Sequence, residues 1–298
     1  MSPGVIRVTA LPAGETNYLS YSNMVLRAIE IVSQRRVEHV PAHSNSDVCL
    51  VFPEMIRRLV RSNKSIWNLA KKQSLEQALR RITPAETIIA VSFENLQHPA
   101  WSDTGKLLLE SGLPRLTAFP TTIDPAGIRF PYWWNYLEWP GLRTNDFPYS
   151  RYGKLYSIQK LLSPLPAPAS DRLERACWVG SSVGPIRQPI LNSISNTYGL
   201  DIYGAAGRSF AGPKSAILKR YRYAVGAENS FGFGYDTEKI PEIWDSGCIP
   251  VGTFVQPLSD FNPAALDASR PERAFLEPLL LRAPDLDPIF DYLHAALS

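Results

Sequence analysis

The chain has 298 residues, 45% of them hydrophobic and 20% charged, an ordinary globular balance that excludes intrinsic disorder and favours two domains over one. Its 31 basic and 28 acidic residues leave a net charge of +3, too small for bulk electrostatic attraction to nucleic acid. Three cysteines far apart in sequence (Cys49, Cys177 and Cys248) exclude a disulfide framework or a Cys-based zinc site as the organising theme.

Met1–Thr16 reads as neither a signal peptide nor an anchor, and no apolar run approaches membrane-spanning length. The expected location is the cytoplasm. Val5–Ala10 is β-like, Asn23–Val32 has apolar residues at helical spacing, and Val48–Phe52 is a compact apolar strand. Met55–Val60 and Ile66–Leu79 alternate with basic residues at helical periods, and Thr87–Phe93 is a buried strand. This alternation predicts a parallel sheet with crossover helices. Leu116–Pro140 is aromatic and proline-rich, with the pattern of neither helix nor strand. Ser163–Ser170 carries three prolines and reads as a linker. The predicted domains are therefore residues 1–165 and 166–298.

A second α/β series follows. Ala176–Val179, Leu200–Tyr203, Tyr221–Ala227 and Cys248–Thr253 read as strands. Pro185–Thr197 and Thr237–Ser246 read as helices, the first with proline where a missing N–H costs little, the second stopped by Gly247. Pro288–Leu297 has helical spacing.

Ligands of open α/β sheets bind at the carboxyl ends of the strands, so polar residues there are the first candidates. Glu94, directly after Thr87–Phe93, is a candidate general base or a loop carboxylate. Gly180–Arg187 is a Gly/Ser loop opening a helix with an arginine in its first turn, which suits a phosphate through free N–H groups, helix dipole and guanidinium. Its spacing is neither that of a P-loop nor Gly-x-Gly-x-x-Gly. Glu228–Lys239 joins a polar strand end to a Gly-rich loop and a helix start. Lys239 is unfavourable in the first turn of an isolated helix, and a bound anion reverses that sign. Tyr235 is placed to stack on or hydrogen-bond a ligand. Ordinary turns and caps would produce the same patterns.

These stretches resemble the α-1,3-fucosyltransferases, the family-10 glycosyltransferases, in their bacterial form. The resemblance rests on Ala227-Glu-Asn-Ser230, Gly234-Tyr-Asp-Thr-Glu-Lys-Ile240 and Gly247-Cys-Ile-Pro-Val251. Pro185-Ile-Arg187, Ser92-Phe-Glu-Asn95, Ile128–Trp134 and Asp260-Phe-Asn-Pro263 follow in family order. It departs at Asp236, where the family has Val, and at Ala227, where it has Phe.

The resemblance implies two Rossmann-like domains in the GT-B arrangement, with an acceptor-binding N-terminal domain and a donor-binding C-terminal domain. It further implies inverting transfer of L-fucose from GDP-β-L-fucose to a GlcNAc- or galactose-containing glycan, with Glu94 as base. Arg187, Asn229, Tyr235, Glu238 and Lys239 would line the donor site, Glu238 meeting hydroxyls rather than phosphate. No tightly held metal is implied, and Mg2+ or Mn2+ would act only as an assisting ion.

Tyr132, Trp133 and Trp134 read either as packing or as a sugar platform, with His98 beside them as a weak acceptor contact. The four histidines lack metal spacing. The basic stretch from Arg57 to Arg81 reads as a solvated face, or as a peripheral contact with the inner membrane carrying a lipid-linked acceptor for lipopolysaccharide. Alternatives within the same frame are another GDP-linked deoxyhexose or L-galactose donor, motivated by Asp236, and a non-catalytic glycan- or nucleotide-binding module. A nucleic-acid role would rest on the basic stretch alone.

Overall fold

The computed structural model describes residues 4–11, 23–41, 45–62, 75–81, 83, 85–111, 113–139, 152–204, 207–253 and 256–298. Within the basic stretch, Lys64, Lys71 and Lys72 lie outside these residues, as does the start of the predicted helix Ile66–Leu79. The chain divides into two compact units, residues 1–135 with 285–298, and residues 136–284.

The first unit is a six-stranded parallel sheet. Its strands are β1 (Val5–Leu11), β2 (Arg36–His39), β3 (Val48–Val51), β4 (Thr87–Ser92), β5 (Arg115–Thr117) and β6 (Gly127–Arg129), in the order β2-β1-β3-β4-β5-β6. Parallel pairing sets Val8 beside Val48 and Val48 beside Thr87. All four residues of β3 are buried, as expected for a central strand covered on both faces. Helix α1 (Asn23–Ser33) buries Met24, Val25, Ala28 and Ile29, an apolar stripe at helical spacing. Met24, Val25 and Ile29 are each worth about 1.5–3 kcal/mol when fully removed from water. Helices α2 (Pro53–Ser62), α3 (Leu75–Arg80) and α4 (Ser102–Glu110) occupy the connections after β3 and β4.

The second unit carries α5 (Ile158–Leu161), β7 (Leu173–Val179), α6 (Gly184–Tyr198), β8 (Leu200–Tyr203), α7 (Lys214–Leu218), β9 (Tyr221–Val225), α8 (Lys239–Asp245) and β10 (Ile249–Val251). Its sheet is parallel, in the order β10-β9-β7-β8. Helix α9 (Asp287–Leu297) then returns to the first unit, where Ile289 and Leu293 are buried. Thr87 Oγ1 donates to Ala296 O at 3.2 Å, and Tyr292 Oη donates to Pro114 O at 3.2 Å.

The break between units thus falls at Asn135 and Tyr136 rather than near residue 165, and the C-terminal helix belongs with the first unit. The residues before the proline-rich segment are bound into the second unit. Tyr152 and Tyr156 are fully buried, with Tyr152 Oη donating to Asp245 Oδ2 at 2.7 Å and Ser157 N donating to Asp245 Oδ1 at 3.2 Å. Leu165, inside the proline-rich run, is itself buried and donates its N–H to Ala274 O at 2.8 Å. Its prolines fix an irregular path over one unit and do not separate two.

Candidate functional site

In the second unit the chain leaves β7 for β8 on one side and then crosses to β9 on the other. The crevice between the carboxyl ends of β7 and β9 is a topological switch point, where open parallel sheets bind their ligands. A cavity of about 420 Å³ lies there, between Trp178 at the end of β7, the Gly180–Ser182 loop, Gly204 after β8 and Asn229 after β9. Two glycines shape it. Gly204 has φ +93°, and a Cβ there would stand 2.5 Å from Gly180 O; a Cβ on Gly180 would stand 2.3 Å from the Trp178 ring. A Gly204→Ala variant therefore meets both a left-handed backbone and a backbone contact. It is expected to lose at least about 1 kcal/mol of stability, read as a lowered denaturant midpoint.

The cavity walls carry opposed charges. Arg187, in the first turn of α6, is 8% exposed. Its Nε donates to Ala227 O at 3.3 Å, its Nη1 donates to Ser182 O at 2.9 Å, and its guanidinium lies 5.9 Å from the Trp178 ring centre. Glu228 accepts from Thr237 N at 3.2 Å, from Thr237 Oγ1 at 2.5 Å and from Lys239 Nζ at 2.7 Å. Lys239 also stands 3.9 Å from Glu238, and Lys214 is ion-paired with Glu242. The walls thus carry three cations and two carboxylates, with Glu228 outside the lining holding Lys239.

The pKa shifts follow from this arrangement. Burial disfavours the charge on Lys239, but Glu228 and Glu238 outweigh it and raise the ammonium above its ordinary value. Burial likewise opposes ionisation of Glu238, and Lys239 and Lys214 more than offset it, holding that carboxyl low. At Glu242 burial prevails over Lys214, with Glu238 adding to it, and the carboxyl is pushed up.

Of the residues the sequence nominated for a donor site, Arg187, Asn229, Glu238 and Lys239 line this one cavity. Tyr235 is 7% exposed and is not among the lining residues. The side chain of Asp236 is turned elsewhere, accepting from Ser259 Oγ at 2.7 Å and Asp260 N at 3.3 Å, which ties the Gly-rich loop to the segment after β10. Sequence reasoning missed Lys214, Glu242, Trp178 and Phe210. Glu242 was detectable, one helical turn beyond Glu238. Lys214 belongs to a five-residue helix that no motif announces.

In the first unit Glu94 follows β4, with Asn95 buried beside it and accepting from Gln97 N at 3.2 Å. Solvent reaches Glu94, yet the protein around it weakens its hydration and raises its carboxyl above the ordinary value. Glu54 adds to the shift and Arg57 opposes it. Arg57 stands 3.7 Å from Glu54, with its guanidinium 5.0 Å from the Trp101 ring centre. His98 is used locally, its Nδ1 accepting from Ala100 N at 3.1 Å.

The aromatic segment is largely packed inside the first unit. Trp133 is fully buried and Trp134 is 7% exposed, the two rings meeting edge to face with centres 6.2 Å apart. Phe130 and the half-buried Tyr132 pack around Phe93, at 5.5 and 5.8 Å. This is aromatic packing behind Glu94. Among the described basic residues, Arg58 stands 3.5 Å from Glu54 and Arg80 stands 3.0 Å from Glu76. No helix among the described residues is long and apolar enough to cross a membrane. No group of three His, Cys, Asp or Glu side chains among them is arranged to hold a metal ion.

No family model and no curated protein sequence matches this chain. Solved structures do. A crystal structure of an α1,3-fucosyltransferase with GDP-fucose aligns over all of this chain and 80% of its own, at 16% identity and a TM-score of 0.50. One with GDP aligns over 98% of this chain and 79% of its own, at 15% identity and 0.51. A third α1,3-fucosyltransferase structure aligns over 100% and 79%, at 17% identity and 0.55. The chain therefore has the α/β fold of these fucosyltransferase structures, with parallel sheets.

Proposed function

We propose that this protein is an inverting glycosyltransferase that moves L-fucose from GDP-β-L-fucose to a hydroxyl of a GlcNAc- or galactose-containing glycan, in α-1,3 linkage. The observation that carries the reading is the switch-point cavity of the second unit, where Arg187, Asn229, Glu238 and Lys239 converge. The names of two structures sharing the fold include GDP-fucose and GDP. In this reading the second unit holds the donor and the first the acceptor.

The chemistry is a single displacement. The acceptor oxygen forms a bond to the anomeric carbon and gives its proton to Glu94, while the bond from that carbon to the β-phosphate oxygen breaks and GDP leaves. One displacement converts a β-linked donor into an α-linked product. Glu94, with its carboxyl raised, is a stronger base than an ordinary glutamate. Charge grows on the β-phosphate as the bond breaks, and Arg187 and Lys239 stabilise it more in the transition state than before. Glu238, an acceptor-only group, is suited to donor hydroxyls. An assisting Mg2+ or Mn2+ and a peripheral membrane contact through the stretch 57–81 belong to the same proposal.

Release of GDP from GDP-L-fucose, followed with a panel of N-acetyllactosamine-type acceptors, tests it. Acceptor-dependent release supports the reading. GDP binding without release from GDP-L-fucose, but with release from another GDP-linked deoxyhexose or L-galactose, moves the donor assignment. GDP binding without release from any donor favours the non-catalytic module. A Lys239→Met variant is expected to bind GDP about tenfold to a hundredfold more weakly, the scale of one charge-assisted contact, by calorimetry. Unchanged affinity would remove Lys239 from the donor site.

A further inference from the structure

Lys214 lies outside every sequence motif, yet its side chain is only 14% exposed and lines the same cavity as Arg187 and Lys239. Its partner there is Glu242, which is 3% exposed and lines the cavity too. The other two cations are already committed elsewhere. Lys239 is held by Glu228 and Thr237, and Arg187 is held by two backbone carbonyls. The lining carries Arg187, Lys214 and Lys239 against Glu238 and Glu242, and Glu228, outside the lining, holds Lys239, so three carboxylates balance the three cations that a diphosphate would meet. A carboxylate that gave up its charge would leave a cation free for the ligand.

Glu242 is the carboxylate built to do so. Tyr156 Oη lies 3.4 Å from its Oε1, while Lys214 occupies Oε2. Around it stand Tyr152 and Tyr156 from the segment before α5, Lys160 on α5, Lys214 from α7, and Glu238, Lys239 and Asp245 on its own helix. The neighbouring β10, Ile-Pro-Val, presents no ionisable side chain. Asp245 is engaged by Lys154, Tyr152 and Ser157, and Lys160 donates to the Asp245 carbonyl at 3.2 Å. Lys214 is thus the chief compensation for Glu242, and burial already favours the neutral carboxyl.

We propose that Lys214 and Glu242 form a proton-coupled latch: Glu242 holds the lysine while the cavity is empty, and a nucleoside diphosphate takes the lysine over as Glu242 takes up a proton. This rests on the donor reading above. It makes Lys214 a third cation for the diphosphate and makes binding weaken as pH rises.

Calorimetry with GDP and GMP tests it at a pH of about 8, where a phosphate with a second pKa near 6 is already ionised and takes up no proton itself. Comparing two buffers of different ionisation enthalpy, the wild-type protein is expected to take up protons on binding GDP, and its affinity to fall as the pH is raised. The double variant Lys214→Met/Glu242→Gln removes both charges together, so that no buried carboxylate is stranded. It is expected to take up no proton and to bind GDP about tenfold to a hundredfold more weakly, with a smaller loss for GMP. The single variant Glu242→Gln keeps the lysine and is expected to bind GDP without proton uptake, which decides the matter should the double variant fail to fold. Wild-type affinity for GDP in the double variant, or unchanged proton uptake in Glu242→Gln, overturns the latch. A wild-type protein that binds no GDP overturns the donor reading beneath it.

Discussion

Replacing Glu94 by glutamine is expected to lower turnover with GDP-L-fucose and acceptor by about 10²–10⁴-fold, the usual scale of a lost general base. Affinity for GDP, measured by calorimetry, should stay within about twofold, because the cavity proposed to hold GDP belongs to the second unit and Glu94 to the first. A variant that keeps wild-type turnover would take Glu94 out of the chemistry. The wild-type pH profile carries a second signature. Weakened hydration, then Glu54, raise this carboxyl, and a base works only when ionised. The acidic limb of kcat/KM should therefore fall at a higher pH than the value of about 4.3 for an unperturbed glutamate. The sign for stability is opposite. A carboxyl raised on folding favours the folded state at low pH, and that contribution is lost as pH rises through the folded value. A limb at or below the ordinary glutamate value would argue against the assignment.

The second large effect is structural. Arg115 and Asp124 are both fully buried in the first unit. Arg115 Nε donates to Asp124 Oδ2 at 2.8 Å, its Nη2 pairs with Oδ1, and its Nη1 donates to Leu113 O at 2.7 Å. The pair joins β5 to the turn before β6, against Gly127, where a Cβ would stand 2.3 Å from Thr117 and 2.8 Å from Asp124. Asp124→Ala strands a guanidinium without its carboxylate in an apolar surrounding. It is expected to cost about 3–5 kcal/mol, a large part of the roughly 5–15 kcal/mol that holds a typical protein folded. Urea unfolding followed by near-UV circular dichroism reads it as a lowered midpoint. A midpoint within error of the wild-type value would show that the pair is replaceable.

Two of the strands legible in sequence bury apolar, β-branched runs. Val48–Val51 and Thr87–Ser92 announce themselves, and Leu200–Tyr203 was placed at its observed bounds. β2 was missed because Arg-Val-Glu-His is an edge strand with exposed, charged side chains. β5 and β6 were missed because three residues are too few to show a period, and Arg115 looks like a surface residue until Asp124 is placed beside it. That Asn229, Glu238 and Lys239 would lie together was legible because the loop after a strand and the start of the next helix are contiguous in sequence. The Lys214–Glu242 pair was not, because only the fold brings together residues from two separate short helices. The aromatic run left packing and sugar contact open for a related reason: sequence shows ring content, and only packing shows which rings meet water.

Because α9 completes the first unit, the two units differ in when they can be finished during synthesis. Residues 136–284 are contiguous and leave the ribosome as one block, whereas the first 135 residues must wait for 285–298 to supply Ile289 and Leu293. Until then the faces of α1 and β4 that α9 covers are open to solvent. The unit made first is thus the last to close, and its exposed surface during that interval is where a chaperone would be needed.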